Sequence, residues 1–180
     1  MNGKSTVGGA GAGAVDWVTR RGAAARDEGE LVVDAGSLVK EKLLERAAKA
    51  ELVNGGKLSL PEGIEIMAAA CRAGKRVGRL HTGDPAIYGA VSEQFRELDK
   101  LGIPYEVVPG VSSAFAAAAE LKVELTMPEL SQSVILTRMA GRTPVPEKEA
   151  LERLAEHGAT LCIYLSAGDL DGLVEKLASA

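Results

Sequence analysis

What most limits the folds open to this chain is the alternation of short apolar runs with helical stretches, several runs stopping at glycine or proline. Ser5–Gly8 predicts a short strand running into a glycine tract, and Glu30–Val33 a second strand. Leu38–Ala48 predicts a helix with Leu43, Leu44, Ala47 and Ala48 on one side. Ser59–Glu62 spells a capping box with Pro61 in the first turn. Ile64, Met67, Ala68 and Cys71 follow at helical spacing until Gly74 stops the helix. Arg76–Leu80 is a strand that leaves through the loop His81–Pro85. Ala90–Leu101 is an amphipathic helix with Val91, Phe95, Leu98 and Leu101 on its inner face. Tyr105–Val108 is a strand and Ser113–Leu121 an alanine-rich helix. Past Pro128, strands are expected at Ser133–Thr137 and Thr160–Leu165. Helices are expected at Glu147–Glu156 and along Leu170, Leu173, Val174 and Leu177.

This order implies an α/β fold, a parallel or mixed sheet covered by helices on both faces. An N-terminal α/β domain is expected over residues 1–126 and a partial C-terminal α/β domain over 129–180, with Pro128 as the hinge. The second part offers two strands and two helices, and a two-stranded sheet is marginal alone, so that domain is expected to be incomplete.

Charge and composition exclude several classes of function. The formal net charge is -4 without a long basic run, so no electrostatic footprint for nucleic acid exists. No apolar stretch reaches the roughly 18 residues of a membrane span. The glycine-rich start is not a signal-peptide pattern. Cys71 and Cys162 stand alone rather than in a metal-type pair, and are expected as small core residues in a reducing compartment. No metal site is expected, and a cytoplasmic protein is.

Three loops carry the candidate chemistry. In the first, Gly9, Gly11 and Ala14 match G-x-G-x-x-G/A after a strand, with Asp34 at the end of the next one. That is a dinucleotide fingerprint in outline, so an oxidoreductase using this loop is one reading, and a flexible Gly/Ala turn another. The second is His81-Thr82-Gly83-Asp84-Pro85-Ala86-Ile87-Tyr88-Gly89, between a strand and a helix. Gly83 permits close backbone approach and Pro85 stiffens the turn. Asp84 either orients a ligand or hydrogen-bonds its own backbone. The third is Val108-Pro109-Gly110-Val111-Ser112-Ser113, whose hydroxyls either cap the helix or meet a ligand. All three are expected to emerge at the carboxyl edge of the sheet, where open α/β sheets bind small molecules. His81 is a candidate base, with a structural polar residue as the alternative.

Arg79-Leu80-His81-Thr82-Gly83-Asp84-Pro85-Ala86-Ile87-Tyr88-Gly89 resembles the R-L-x-x-G-D-P-x-[IF]-[YF]-G signature of the tetrapyrrole (corrin/porphyrin) methylases. Gly102–Ser113 resembles that family's second motif. Ser131–Arg138, with Gly141-Arg142-Thr143-Pro144-Val145-Pro146, is similar to the branch that acts on precorrin-4. Val33–Val39 is similar as well, with Asp34 where family members usually carry Tyr. The resemblance implies a two-domain fold with S-adenosylmethionine between the domains. It implies methyl transfer to carbon 11 of precorrin-4 or cobalt-precorrin-4, in cobalamin biosynthesis. Thr82, Gly83, Asp84 and Ile87 would line the cofactor, Ser112 and Ser113 would meet its amino-acid part or ribose, and Leu165 would pack near the adenine or sulfur. Arg138 and Arg142 would clamp carboxylates of the tetrapyrrole. A homodimer is expected. A methylase acting at another ring position and an inactive fragment are the alternatives. The family's first loop usually reads G-A-G-P-G-D-P, and here Ala12, Ala14 and Val15 replace the Pro, Asp and Pro.

Overall fold

The computed structural model describes residues 3–36, 47, 49–141 and 143–178. The helix expected over Leu38–Ala48 therefore falls almost wholly outside the described residues, as does Arg142. The chain divides into two compact units, Met1–Ala116 and Ala117–Ala180.

In the first unit the elements are β1 (Ser5–Gly9), α1 (Arg20–Asp27), β2 (Leu31–Asp34), β3 (Glu51–Asn54), α2 (Leu60–Arg72), β4 (Val77–His81), α3 (Val91–Lys100) and β5 (Tyr105–Val108). Helix α4 (Ser113–Leu121) leads out of it. The five strands form one parallel sheet in the order β3-β2-β4-β1-β5. β1 lies between two neighbours and is buried along its whole length, the position for which parallel sheets select apolar and small residues.

Successive side chains of a strand face opposite ways. Leu31 and Val33 of β2 accordingly join Ile64, Met67 and Cys71 of α2, and Leu98 of α3, in one core layer. Val32, between them, joins Leu80 and Ala10 on the other side of the sheet. The apolar positions foreseen on α2 are those the fold buries. Full burial of Ile64 or Met67 stabilises by about 1.5–3 kcal/mol each. The capping box forms: the Ser59 N–H donates to Glu62 Oε2 at 2.8 Å. Gly74 takes φ +86, and so turns the chain out of the helix. Phe95 stacks on Tyr105 with ring centroids 4.9 Å apart, joining α3 to the edge strand β5.

Three expectations need correction. Strand β3 was not foreseen; three of its four residues are exposed and it pairs only with β2. Leu101, expected on the inner face of α3, is 39% exposed, and Gln94 is buried there instead. The helix expected over Glu147–Glu156 is interrupted. Glu147–Glu149 is a single 3-10 turn, Ala150 is extended at φ -58 and ψ 139, and the α-helix starts at Leu151.

The second unit holds β6 (Val134–Arg138), α5 (Leu151–Ala155), β7 (Thr160–Tyr164) and α6 (Leu170–Ala178). β6 and β7 form a two-stranded parallel sheet. Thr160 anchors its start by donating from Oγ1 to the Leu125 carbonyl at 2.7 Å. Cys162 is half-buried, whereas Cys71 is a core residue as expected.

Candidate functional site

The three glycine-bearing loops do converge at the carboxyl edge of the sheet. Parallel pairing of β1 with β4 and β5 brings Gly9, His81 and Val108 to one level, so the segments that follow meet. The Ala10 N–H donates to the His81 carbonyl at 2.6 Å, and the Gly83 N–H to the Gly11 carbonyl at 2.9 Å. A Cβ on Gly9 would run into Gly110 Cα and the Gly83 carbonyl oxygen, and one on Gly110 into that same oxygen. Only glycine permits this three-way backbone contact. Gly83 itself has ordinary room for a Cβ, with Ser112 Cα at 3.7 Å, but its φ of +61 favours glycine.

Asp84 joins two of the loops. Its Oδ1 accepts the Ala86 N–H at 2.8 Å and its Oδ2 the Gly110 N–H at 2.9 Å. The carboxylate thus serves its own turn and the neighbouring loop together. Thr19, the N-cap of α1, accepts the Gly22 N–H and donates to the Pro109 carbonyl at 3.2 Å, tying α1 to the third loop. Ser112 is buried and Ser113 exposed at the start of α4.

His81 ends β4 and is 4% exposed. Burial first, then the charge of Arg79, pushes its pKa down to about 4, with a hydrogen bond to Gln94 acting the other way. The imidazole is therefore neutral at pH 7, and its Nε2 is buried without a hydrogen-bond partner.

Beside these loops, between the ends of β2 and β4 and the start of α2, lies a cavity of about 320 Å³. Leu58, Ile64 and Met67 give it an apolar wall, Arg79 a charged one, and the Ile87–Ala90 backbone closes it. That closing segment is conformationally costly: Tyr88 and Ala90 have φ +53 and +48. Arg79 was not singled out as a site residue. A charged residue between Gly78 and Leu80 in a strand buried on both faces was the signal available.

The other anticipated site residues fall in the second unit. Arg138 donates to the carbonyls of Met139, Thr143 and Pro144 at 3.1, 3.0 and 2.8 Å, holding its own loop in shape. Leu165 follows β7 with φ +56 and is 76% exposed. Among the described residues no cluster of His, Cys, Asp or Glu could hold a metal ion.

The topology disfavours the dinucleotide reading. In the dinucleotide fold the glycine loop's strand lies next to the strand bearing the acid. Here β4 lies between β1 and β2. Asp34 is 4% exposed, with Oδ1 accepting the Gly36 N–H at 2.5 Å. Helix α1 begins only at Arg20, well past the glycines.

Comparison with known proteins agrees with the signature loops. The family model described as Tetrapyrrole (Corrin/Porphyrin) Methylases matches residues 6–180. The cobalt-precorrin-4 C(11)-methyltransferase of Methanocaldococcus jannaschii is 52% identical over 177 residues, which cover 98% of this chain and 68% of that protein. The precorrin-4 C(11)-methyltransferase of Pseudomonas aeruginosa is 48% identical over 169 residues, 94% of this chain and 68% of the relative. The chain thus spans about two thirds of the length of these relatives. The X-ray structure of a cobalt precorrin-4 methyltransferase superposes with a TM-score of 0.94 at 42% identity, covering 98% of this chain and 74% of the other. Uroporphyrin-III C-methyl transferase from Thermus thermophilus, complexed with S-adenyl homocysteine, gives 0.77 at 25% identity, covering 98% and 72%. The chain belongs to the tetrapyrrole (corrin/porphyrin) methylases.

Proposed function

We propose that this protein is an S-adenosylmethionine-dependent C-methyltransferase that methylates carbon 11 of precorrin-4 or cobalt-precorrin-4 in cobalamin biosynthesis. The observation that carries this is the three-loop glycine cradle, built from the signature segments of a family whose precorrin-4 members are about half identical to this chain.

The residues fit the cofactor. Gly9, Gly83 and Gly110 bring backbone together with no Cβ in the way at Gly9 or Gly110. This packing sets the Ser112–Ser113 backbone beside Gly83, so the second and third loops can act on one ligand. Thr82, Gly83, Asp84 and Ile87 would hold the cofactor from the second loop, with Leu165 contributing from the second unit. Asp84 works by keeping the loops in place, through the two N–H groups it accepts. S-adenosylmethionine supplies a methyl already activated on a sulfonium. The protein's task is then alignment and exclusion of water rather than acid–base work. A neutral His81 suits that task, adding no positive charge at this strand end. Arg138 and Arg142 are the substrate clamps of this reading. Two cysteines without disulfides fit the cytoplasm, and a homodimer belongs to the same reading.

Calorimetric titration tests the assignment. S-adenosylhomocysteine should bind and raise the melting temperature, and NAD should do neither. Stabilisation by NAD alone would sink the proposal.

A further inference from the structure

The cavity beside the cofactor loops contains a guanidinium whose other contacts fix its orientation. Arg79 Nε donates to Gln94 Oε1 at 3.1 Å, and Nη1 donates to the carbonyls of Val33 at 3.3 Å and Asp34 at 2.5 Å. Gln94 is in turn held by the Ala90 carbonyl, to which its Nε2 donates at 3.3 Å. None of these bonds uses Nη2, and Arg79 lines the cavity. Burial pulls the guanidinium's pKa down, the Asp34 carboxylate opposing. Guanidinium nevertheless stays protonated in proteins.

The surroundings narrow the ligand class. Leu58, Ile64 and Met67 make part of the lining apolar, and the N-terminus of the thirteen-residue helix α2 lies at the same cavity, adding positive potential. Among the described lining residues Glu93 is the only carboxylate, and Arg79 brings a positive charge, so the Arg79 end suits an anion rather than a cation. About 320 Å³ is at the low end for a whole small ligand, and ample for one arm of a larger molecule. Volume, apolar wall and fixed guanidinium together match a short alkyl stem that ends in a carboxylate.

We propose that Arg79 is a specificity-determining residue that binds one peripheral carboxylate arm of the tetrapyrrole, with the cavity at the β2–β4 edge enclosing the arm's methylene stem. This rests on the methyltransferase reading. The arm anchors the macrocycle on the first unit beside the cofactor loops, and Gln94 is the positioning residue that sets the guanidinium's orientation.

Gly63 provides a clean perturbation. It lies on α2 and lines the cavity, and a Cβ built there meets nothing within 4 Å. Gly63→Leu should therefore keep the fold, gain helix propensity and fill the cavity. Fluorescence titration with uroporphyrin III, a tetrapyrrole polycarboxylate, and with its methyl ester is the measurement, alongside S-adenosylhomocysteine calorimetry. The acid should bind the unmodified protein at least tenfold tighter than the ester. Gly63→Leu and Arg79→Gln should each weaken acid binding about tenfold, leaving S-adenosylhomocysteine affinity and ester binding unchanged. Equal binding of acid and ester, no binding of the acid, or unaltered acid binding in Gly63→Leu would each overturn the arm site, even if Arg79→Gln failed to fold. Failure of the unmodified protein to bind S-adenosylhomocysteine would instead overturn the methyltransferase reading on which the site rests.

Discussion

His81 sits in a strand buried on both faces, so charging it destabilises the fold. Its folded-state pKa of about 4 lies below the ordinary 6.5, so the neutral form is the one folding favours. Stability from this source is fully present above pH 6.5 and is lost as pH falls toward 4. Linkage gives a loss of about 2 kcal/mol between pH 7 and pH 5, a window in which most carboxylates stay ionised. Urea melts of the unmodified protein should show that loss, and His81→Gln should flatten it; parallel curves for the two would mean that His81 is not the group concerned. Arg26 presents the opposite case, a charge kept where it has little support. It is 1% exposed. Nε donates to Asp27 Oδ1 at 2.7 Å and Nη2 forms an ion pair with the same oxygen at 2.7 Å, while Nη1 has no hydrogen-bond partner. The carboxylate left behind when Arg26 is replaced is 49% exposed and stays solvated, so an apolar side chain of similar length removes the cost of burying the guanidinium without stranding a buried charge. Arg26→Met should raise the unfolding free energy by about 1–2 kcal/mol, and a lower denaturation midpoint would refute this. Neither environment was legible in the sequence. Arg26 occurs in the polar string Arg26-Asp27-Glu28, which reads as a solvated helix end. His81 differs from a surface residue first through its burial in the sheet and then through Arg79 and Gln94, the latter 13 positions away.

At the scale of elements, legibility followed how local the determinant was. The Ser59–Glu62 box and the Ile64, Met67, Ala68, Cys71 stripe lie within a few residues of one another, and both read correctly. Strand β3 owes its existence to pairing with β2, twenty residues earlier, and Glu51-Leu52-Val53-Asn54 carries no alternation of its own. Gln94 took an inner-face position on α3 because Arg79 of β4 requires an acceptor there, a tertiary demand that hydrophobic periodicity cannot register. The glycine loops were legible as a set. Which glycine is sterically essential was not, because the crowding is between loops: Gly9 against Gly110 and the Gly83 carbonyl. Two alanine substitutions separate these roles. Gly110→Ala drives a Cβ into backbone atoms, with Gly9 Cα at 2.7 Å, and should weaken S-adenosylhomocysteine binding at least tenfold with the sheet still folded. Gly63→Ala meets nothing and should leave that affinity unchanged while stabilising α2 by about 0.5–1 kcal/mol. Calorimetry on the pair would show an error in the cradle if Gly110→Ala bound as well as Gly63→Ala.

At the scale of the molecule, the two units differ in how much they bury. Among the described residues of 117–180, Leu151 is the only apolar residue that is fully buried, while the five-stranded sheet of the first unit has core layers on both faces. Helix α6 buries none of its residues, and Leu165, Leu170 and Val174 are 76, 60 and 64% exposed. β6 and β7 each have one partner strand, whereas β1, β2 and β4 each have two. Local opening is cheapest where little apolar area is lost and few ladder bonds break. In native-state hydrogen exchange on the full chain, amides of β1 and β4 should therefore exchange only through near-global unfolding. Those of β6 and β7 should exchange at least about a hundredfold faster, a gap of about 3 kcal/mol in opening free energy. The second unit's own anchors, Thr160 on Leu125 and Ser166 on Tyr164 and Met139, are hydrogen bonds worth about 0.5–1.5 kcal/mol each, too few to reverse that order. S-adenosylhomocysteine adds a further arm. If Leu165 contributes to the cofactor site, saturating ligand should slow exchange in β7 as well as around Gly83 and Gly110. Equal protection of β6–β7 and β1–β4 without ligand would refute the unequal stability of the two units. Ligand protection confined to residues before Ala117 would remove Leu165 from the site.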